Sequence, residues 1–167
     1  YCQKNFNLII ISTGTANYAE LIKLKEIIDQ EKTVVMHCVS SYPCFYENAN
    51  LPRINELKKL FKRVGYSDHT QGITASCVSL EYEVEYIEKH FTINNNLPGP
   101  DHRASIEPSD LKKMIFLLDT FKDSLGDYTK KSFNSEKDNL KIVRRSIYAS
   151  KEIKKGDKFT LSNIELK

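Results

Sequence analysis

The sequence predicts an α/β fold in which parallel β-strands alternate with α-helices. Three observations support this class: four apolar, β-branched runs have the length of strands, segments with apolar residues at helical spacing separate them, and each separating segment is long enough for a crossover. Repeated strand–helix units of this kind build a parallel sheet with right-handed connections. The expected strands span residues 8–12, 33–39, 62–67 and 84–91.

The first two predicted strands have the composition of buried strands. Residues 8–12 form a continuous run of the type found where both faces of a parallel sheet are covered, and residues 33–39 form a second such run. Between them, residues 17–30 carry apolar side chains at helical spacing and predict an amphipathic helix. After the second strand, Ser40–Pro43 is expected to be a loop, because Pro43 cannot continue a hydrogen-bonded ladder.

The remaining helices follow the same pattern. Residues 51–61 repeat the helical spacing with Pro52 suited to a first turn, and residues 73–80 predict a short packed helix. The segment 93–107 is long and rich in turn residues, which in a compact domain indicates a functional or a disordered loop. A final helix is expected from Pro108 or Ser109 to about Leu125.

The composition of the chain changes after Gly126, the residue that we expect to end this helix. We therefore predict three regions: an α/β domain at 1–126, a polar linker at 127–142, and short strands at 143–167 with a turn at 153–157. The last region is too short to bury a core by itself.

Composition excludes several classes of function. With 167 residues, 40% hydrophobic and 28% charged, the chain has the profile of a soluble globular protein, and its net charge of +3 is spread over helices without a basic face for nucleic acid. No apolar run approaches the ~20 residues of a membrane span, and no signal peptide is evident at the start. Four cysteines without paired spacing indicate reduced thiols, so we expect a cytoplasmic protein that does not bind membranes.

Two histidines are the candidate chemical groups. His69 and His90 each end a predicted strand, and the carboxyl ends of parallel strands are where α/β barrels keep their chemistry. A single histidine is more often an ordinary half-buried residue, but two at neighbouring strand ends favour a site for one divalent metal ion. Cys38, inside an apolar run, is expected to be a packed side chain rather than a nucleophile.

Four strings of residues then resemble a known family. In order along the chain, they are His37-Cys38-Val39-Ser40-Ser41-Tyr42-Pro43, Gly65-Tyr66-Ser67-Asp68-His69-Thr70, Ile87-Glu88-Lys89-His90-Phe91-Thr92 and Leu97-Pro98-Gly99-Pro100-Asp101-His102. Together they are similar to the bacterial N-acetylneuraminate (sialic acid) synthases. The segments 144–149 and 153–157 resemble the opening of that family's antifreeze-like (SAF) domain.

This resemblance implies the C-terminal half, strands 5–8, of a (β/α)8 TIM barrel, followed by the beginning of a small β-rich antifreeze-like domain at 143–167. Both ends of the chain are then expected to be truncated relative to the family. A homodimer is implied for the full-length protein, with the antifreeze-like domain covering the neighbouring subunit's active site.

The resemblance also implies a reaction and a site. The family condenses phosphoenolpyruvate with N-acetylmannosamine, an N-acetylated amino sugar, to give sialic acid and phosphate, using a divalent metal, Mn²⁺ or Mg²⁺. His69 and His90 would be the metal ligands and catalytic residues, together with Asp101. Substrate-binding residues would be Ser12, Ser40 and Ser67 toward phosphoenolpyruvate, and Tyr42 and Asp101 toward the sugar.

One segment departs from the family. Relatives have Ala-Leu-Gly-Ala before the fourth strand, whereas this chain has Leu80-Glu81-Tyr82-Glu83 and so lacks the glycine expected at a helix end. The alternatives are a legionaminic or pseudaminic acid synthase of the same family, a non-catalytic carbohydrate-binding module, and a metal-dependent hydrolase that would need a further carboxylate ligand such as Asp68. Residues 1–167 alone are expected to be inactive.

Overall fold

The chain divides at the predicted helix stop. The structure, a computed structural model, describes residues 1–126, 129 and 133–167. Two compact units are formed, one by Tyr1–Gly126 and one by Asp127–Lys167. Each unit is described by itself.

The first unit is built on a four-stranded parallel sheet. Its strands are β1 (Ile9–Ser12), β2 (Thr33–Cys38), β3 (Val64–Asp68) and β4 (Ile87–Lys89), and they lie side by side in the order β1-β2-β3-β4. All three pairs are parallel. The predicted α/β class is therefore confirmed, with strands somewhat shorter than the sequence indicated.

The helices fall where the apolar spacing predicts them, apart from a first short turn of helix. They are α1 (Cys2–Asn5), α2 (Tyr18–Ile27), α3 (Arg53–Leu60), α4 (Thr74–Val78) and α5 (Pro108–Leu125). Short 3₁₀ turns occur at Tyr46–Asn48, Ser79–Tyr82 and His102–Ala104. Helix α2 begins at a capping box, in which Asn17 accepts from the backbone of Glu20 and Glu20 accepts from the backbone of Asn17.

The hydrophobic core lies between the helices and one face of the sheet. Leu21 of α2 and Ile54 and Leu57 of α3 pack with residues of the two central strands, namely Val35, Val64 and Tyr66. Because side chains alternate along a strand, the intervening residues Cys38 and Ser67 project to the opposite face. That second face carries the candidate site.

Strand β1 is less buried than its composition predicts. Ile10 is 46% exposed, and Ile9 to Ser12 alternate between partly buried and exposed, whereas every residue of β2 is buried. The expectation that both strands are covered on both faces is wrong for β1, because it lies at an edge of the sheet and pairs with β2 alone among the described strands.

The second unit contains a helix and a small antiparallel sheet. After a 3₁₀ turn at Asn134–Glu136, α6 spans Lys137–Val143, and β5 (Ile147–Ala149) pairs with β6 (Ile164–Leu166). The predicted linker 127–142 is thus not irregular throughout, because Glu136 caps the turn through the backbone of Phe133 and a helix follows. The turn expected at 153–157 is present: the backbone of Asp157 donates to the carbonyl of Lys154.

Among the residues described, no helix has the length and apolar character that a membrane crossing requires.

Candidate active site at the carboxyl ends of the strands

The two candidate histidines meet at one edge of the sheet. His69 directly follows β3 and His90 directly follows β4, and these strands are neighbours. Their ring centroids lie 5.4 Å apart at an interplanar angle of 76°. The structure therefore brings together the pair that the sequence singled out.

The imidazole of His69 is oriented from the neighbouring strand. Its Nδ1 lies 2.7 Å from the backbone carbonyl of Val39, just beyond β2. A carbonyl oxygen only accepts, so Nδ1 carries the proton and Nε2 keeps its lone pair. An imidazole fixed in this way through one nitrogen is the usual form of a histidine metal ligand.

Tyr42 joins the two histidines in an aromatic cluster, defined here as Tyr42, His69 and His90. Its ring centroid lies 4.2 Å from that of His69 and 5.2 Å from that of His90. The loop that carries Tyr42 is tied to the end of β3, since the backbone of Cys44 donates to the carbonyl of His69 at 2.8 Å. Tyr42 is 54% exposed, so one side of its ring remains available for contact with a ligand.

Glu88 is a site residue that the sequence analysis did not select. The hydroxyl of Ser67 donates to Oε1 of Glu88 at 2.6 Å, and the same hydroxyl oxygen lies 3.2 Å from Nε2 of His69. Because the Ser67 proton is directed to the carboxylate, it does not occupy the Nε2 lone pair. The position of Glu88, two residues before His90 and therefore on the same face, was the available signal.

Ser12 and Ser40 lie at the ends of the first two strands. The hydroxyl of Ser12 is 2.9 Å from the thiol of Cys38. Gly14 lies against the same groups: a Cβ placed on it would come within 2.1 Å of the Ser40 hydroxyl and 2.8 Å of the Cys38 sulfur. Cys38 is buried, as predicted. Ser12, Cys38 and Ser40 thus meet at the ends of β1 and β2, where Gly14 leaves room for them.

The segment 93–107 is ordered by hydrogen bonds on both sides of its tip. The backbone of Ile106 donates to the carbonyl of His90 at 2.9 Å, and Thr92 donates to the carbonyl of Ile106 at the same distance. Nδ1 of His102 lies 2.8 Å from the Thr92 hydroxyl, so His102 has a loop-forming role. Asp101 is exposed and caps the start of the 3₁₀ turn. Its backbone carbonyl accepts from the backbone of Ala104 and from the hydroxyl of Ser105.

Behind the histidines, on the helix-facing side of the sheet, lies a buried polar network around Asp68 and Lys89. Asp68 accepts from the backbone and hydroxyl of Thr70 at 2.8 and 2.7 Å and from those of Ser76 at 3.1 and 2.5 Å. Lys89 Nζ lies 3.1 Å from Asp68 Oδ2. Asp68 is therefore committed to this network, and it is not available as the third ligand that a hydrolase would need.

Burial also shifts several ionisation equilibria in this region. Desolvation lowers the pKa of Lys89, and the charge of Asp68 opposes that change. Desolvation and the nearby Asp68 raise the pKa of Tyr66 well above its usual range. Desolvation also lowers the pKa of His37, which is buried in the core and whose Nε2 lies 2.8 Å from the carbonyl of Ala49.

The donor set at the site is small. Within residues 1–126, 129 and 133–167, no group of three or more His, Cys, Asp or Glu side chains is close enough together to hold a metal ion. The aromatic cluster thus offers two imidazoles. Two such nitrogens leave most of the coordination sphere of a divalent ion to water or ligand oxygens.

Similarity to known proteins agrees with the strings that the sequence analysis picked out. The chain is 39% identical over 165 residues to the N,N'-diacetyllegionaminic acid synthase of Campylobacter jejuni, covering 95% of this chain and 49% of that protein. It is 35% identical over 160 residues to the pseudaminic acid synthase of the same organism, covering 93% and 46%. The chain thus spans about half the length of the curated relatives it matches.

A solved structure shares the fold. The sialic acid synthetase of Leptospira borgpetersenii superimposes with a TM-score of 0.70 at 34% sequence identity, covering 81% of this chain and 48% of that one. The α/β fold with a parallel sheet therefore matches that of such synthases. Residues 1–130 match the sequence model of the NeuB family, and the chain belongs to that family.

Proposed function

We propose that this chain is the C-terminal half, strands 5–8, of the TIM barrel of a sugar acid synthase, followed by the start of an antifreeze-like domain. Its four parallel strands, its match to the NeuB family and its coverage of about half of each relative support this assignment. The complete enzyme would act as a homodimer.

The proposed reaction is the condensation of phosphoenolpyruvate with N-acetylmannosamine and water to give N-acetylneuraminate and phosphate. The enol carbon forms a bond to the open-chain aldehyde carbon, water adds at the phosphate-bearing carbon, and the C–O bond to phosphate breaks. The single observation that carries this proposal is the approach of His69 and His90 to a centroid distance of 5.4 Å at the carboxyl ends of β3 and β4.

The residues of the site have separate roles in this proposal. His69 and His90 would hold Mn²⁺ or Mg²⁺, which when bound polarises the aldehyde oxygen of the sugar as a Lewis acid. Val39 orients His69, and Glu88 directs the Ser67 hydroxyl.

The remaining site residues would bind the two substrates. Hydroxyls of Ser12 and Ser40 would donate to the carboxylate or phosphate oxygens of phosphoenolpyruvate, and the Ser67 hydroxyl would do so once its proton turns from Glu88 to the bound substrate. The exposed face of Tyr42 and the carboxylate of Asp101 would contact the sugar.

A second candidate substrate is a diacetamido sugar, the precursor that the name N,N'-diacetyllegionaminic acid indicates. The 39% identity to the Campylobacter jejuni synthase of that product favours it. The proposed reaction centre is the same for both sugars, because the aldehyde and phosphoenolpyruvate are unchanged and only the sugar-binding contacts differ.

The test is to express the complete reading frame that contains residues 1–167 and to measure phosphate release from phosphoenolpyruvate with Mn²⁺. Each sugar is supplied separately, and a reaction without sugar is the control. We expect sugar-dependent release, faster with the true substrate, and none from residues 1–167 expressed alone. Carbohydrate binding without release would favour a binding module, and sugar-independent release would indicate a hydrolase.

A further inference from the structure

A charged residue comes directly before each of the two histidines of the site, and these two residues carry charges of opposite sign. Asp68 comes directly before His69, Lys89 comes directly before His90, and the two are register partners on β3 and β4. Their side chains are almost completely buried, at 0% and 3% exposure, and they form an ion pair of 3.1 Å. The pair therefore connects the ends of the two strands that carry the imidazoles.

The carboxylate of Asp68 has its hydrogen-bonding capacity filled. Oδ1 accepts from the backbone and the hydroxyl of Thr70, and Oδ2 accepts from the backbone and the hydroxyl of Ser76 in addition to Lys89. The Tyr66 hydroxyl approaches Oδ1 at 3.3 Å. Thr70 follows His69, so the carboxylate fixes the backbone on both sides of that histidine.

Lys89 adds a bond across the strands. Its ammonium donates to the backbone carbonyl of Thr70 as well as to Asp68. Lys89, which precedes His90, is therefore bonded to the residues on both sides of His69. Any change in the spacing of the two strand ends would have to stretch these bonds.

Stability alone is a weak explanation for such a pair. The cost of removing two charges from water largely offsets their attraction, so apolar residues of similar volume often stabilise a core as well. A filled polar network does, however, hold one geometry where an apolar contact would allow several.

We propose that Asp68 and Lys89 are positioning residues that set the separation of His69 and His90 for a shared divalent ion. The proposal rests on the function proposed above, because it assigns the pair to the metal site of that synthase. Neither side chain contacts the ion: each acts through the backbone of the strand end that presents a ligand.

The experiment compares Lys89→Met with the wild type in the protein expressed from the complete reading frame. Methionine keeps most of the buried stem and removes the ammonium. Mn²⁺ affinity is measured from the loss of the electron paramagnetic resonance signal of free Mn²⁺, and unfolding is followed by circular dichroism. In the metal-free protein, ¹⁵N shifts of the His69 ring report whether Nδ1 still donates to Val39.

We expect Lys89→Met to weaken Mn²⁺ binding by roughly 10–100-fold, the usual effect of losing an outer-shell partner. Leu21→Ala is the matched control, because Leu21 is a buried core residue of α2 and its loss should lower the unfolding midpoint without changing Mn²⁺ affinity. Wild-type Mn²⁺ affinity in folded Lys89→Met would overturn the proposal.

A milder variant covers the case in which Lys89→Met does not fold. Ser76→Ala removes one hydroxyl donor to Asp68 and leaves the ion pair in place. We then expect a smaller but measurable loss of Mn²⁺ affinity, and an unchanged value would overturn the proposal. Failure of the wild type to bind Mn²⁺ would instead contradict the proposed function, so the two failures are distinguishable.

Discussion

His69 Nδ1 donates to the backbone carbonyl of Val39 across a distance of 2.7 Å, from the end of β3 to the end of β2. This bond fixes the tautomer of His69 and leaves Nε2, which lies 3.2 Å from the Ser67 hydroxyl, with a free lone pair. The backbone of one strand thereby sets the chemistry available at the next.

We expect His69→Ala and His90→Ala each to reduce Mn²⁺ affinity by more than the roughly 10–100-fold that a lost outer-shell partner costs. The reason is that each removes one of only two imidazoles at the site. Isothermal titration calorimetry measures the affinity. His102→Gln is the control, since His102 bonds to Thr92 and takes part in none of the ring contacts found among the described residues; equal affinities for all three variants would contradict the assignment.

Removal of the Glu88 charge should alter the metal site through Ser67. In Glu88→Ala the Ser67 hydroxyl loses its acceptor at 2.6 Å and its proton can turn to Nε2 of His69, 3.2 Å away. We expect Mn²⁺ affinity to fall by about tenfold, which corresponds to about 1.4 kcal/mol. Glu85→Ala, which removes a glutamate paired with Arg63, is the comparison. A similar loss in both variants would indicate a non-specific effect of charge.

Gly14→Ala tests the packing at the ends of β1 and β2. The added methyl group would lie 2.1 Å from the Ser40 hydroxyl, so Ser40 has to move, and overpacking of this kind typically costs about 1–3 kcal/mol. We expect KM for phosphoenolpyruvate to rise by about tenfold, or about 1.4 kcal/mol. In Gly14→Ala with Ser40→Ala the clash with the hydroxyl is removed but the close contact with the Cys38 sulfur remains, so stability should recover in part while KM stays high. Full recovery of KM would exclude a binding role for Ser40.

The left-handed backbone of Glu83 has a structural cost. Glu83 has φ 50° and ψ 49°, a left-handed conformation that glycine adopts without a Cβ clash. We expect Glu83→Gly to raise the melting temperature by a few degrees, because the ion pair with Lys58 that it removes is largely exposed and contributes little. Glu83→Gln keeps the Cβ and removes the charge, so it should leave the melting temperature unchanged. A lower melting temperature for Glu83→Gly would contradict this account.

His37 should make the protein less stable in mild acid. Desolvation lowers its pKa in the folded state, so below the unfolded value of about 6.5 the unfolded chain binds a proton that the folded core resists. The loss of stability caused by His37 is absent above about pH 7. It grows as the pH falls through 6.5 toward the folded pKa, with a slope of up to about 1.4 kcal/mol per pH unit. Urea unfolding at pH 7.5 and 5.0 measures it.

The matched variant for this measurement is His37→Gln, whose amide nitrogen can still donate to the carbonyl of Ala49. We expect a smaller loss of stability between the two pH values in this variant. An equal loss in both proteins would assign the acid sensitivity to other groups.

The sequence by itself determined the element order and the candidate histidines. Apolar periodicity is a local property, so the strands β1–β4 and helices α2–α5 could be placed from it, and the parallel order followed from the connections between them. His69 and His90 could be selected for the same reason, because a strand end is recognisable along the chain.

Tertiary structure alone decided which groups meet and how much of each strand is covered. The contacts of Tyr42 with both histidines, of Val39 with His69 and of Lys89 with Thr70 join segments 19 to 48 residues apart, and no local pattern encodes them. Ile10 is exposed although its neighbours in sequence predict a buried strand, because exposure depends on what lies beside β1 in space. Glu88 belongs to the site because it is the register partner of Ser67. The pairing of β3 with β4 brings the Glu88 carboxylate to the Ser67 hydroxyl, and the order of residues along the chain does not reveal this contact.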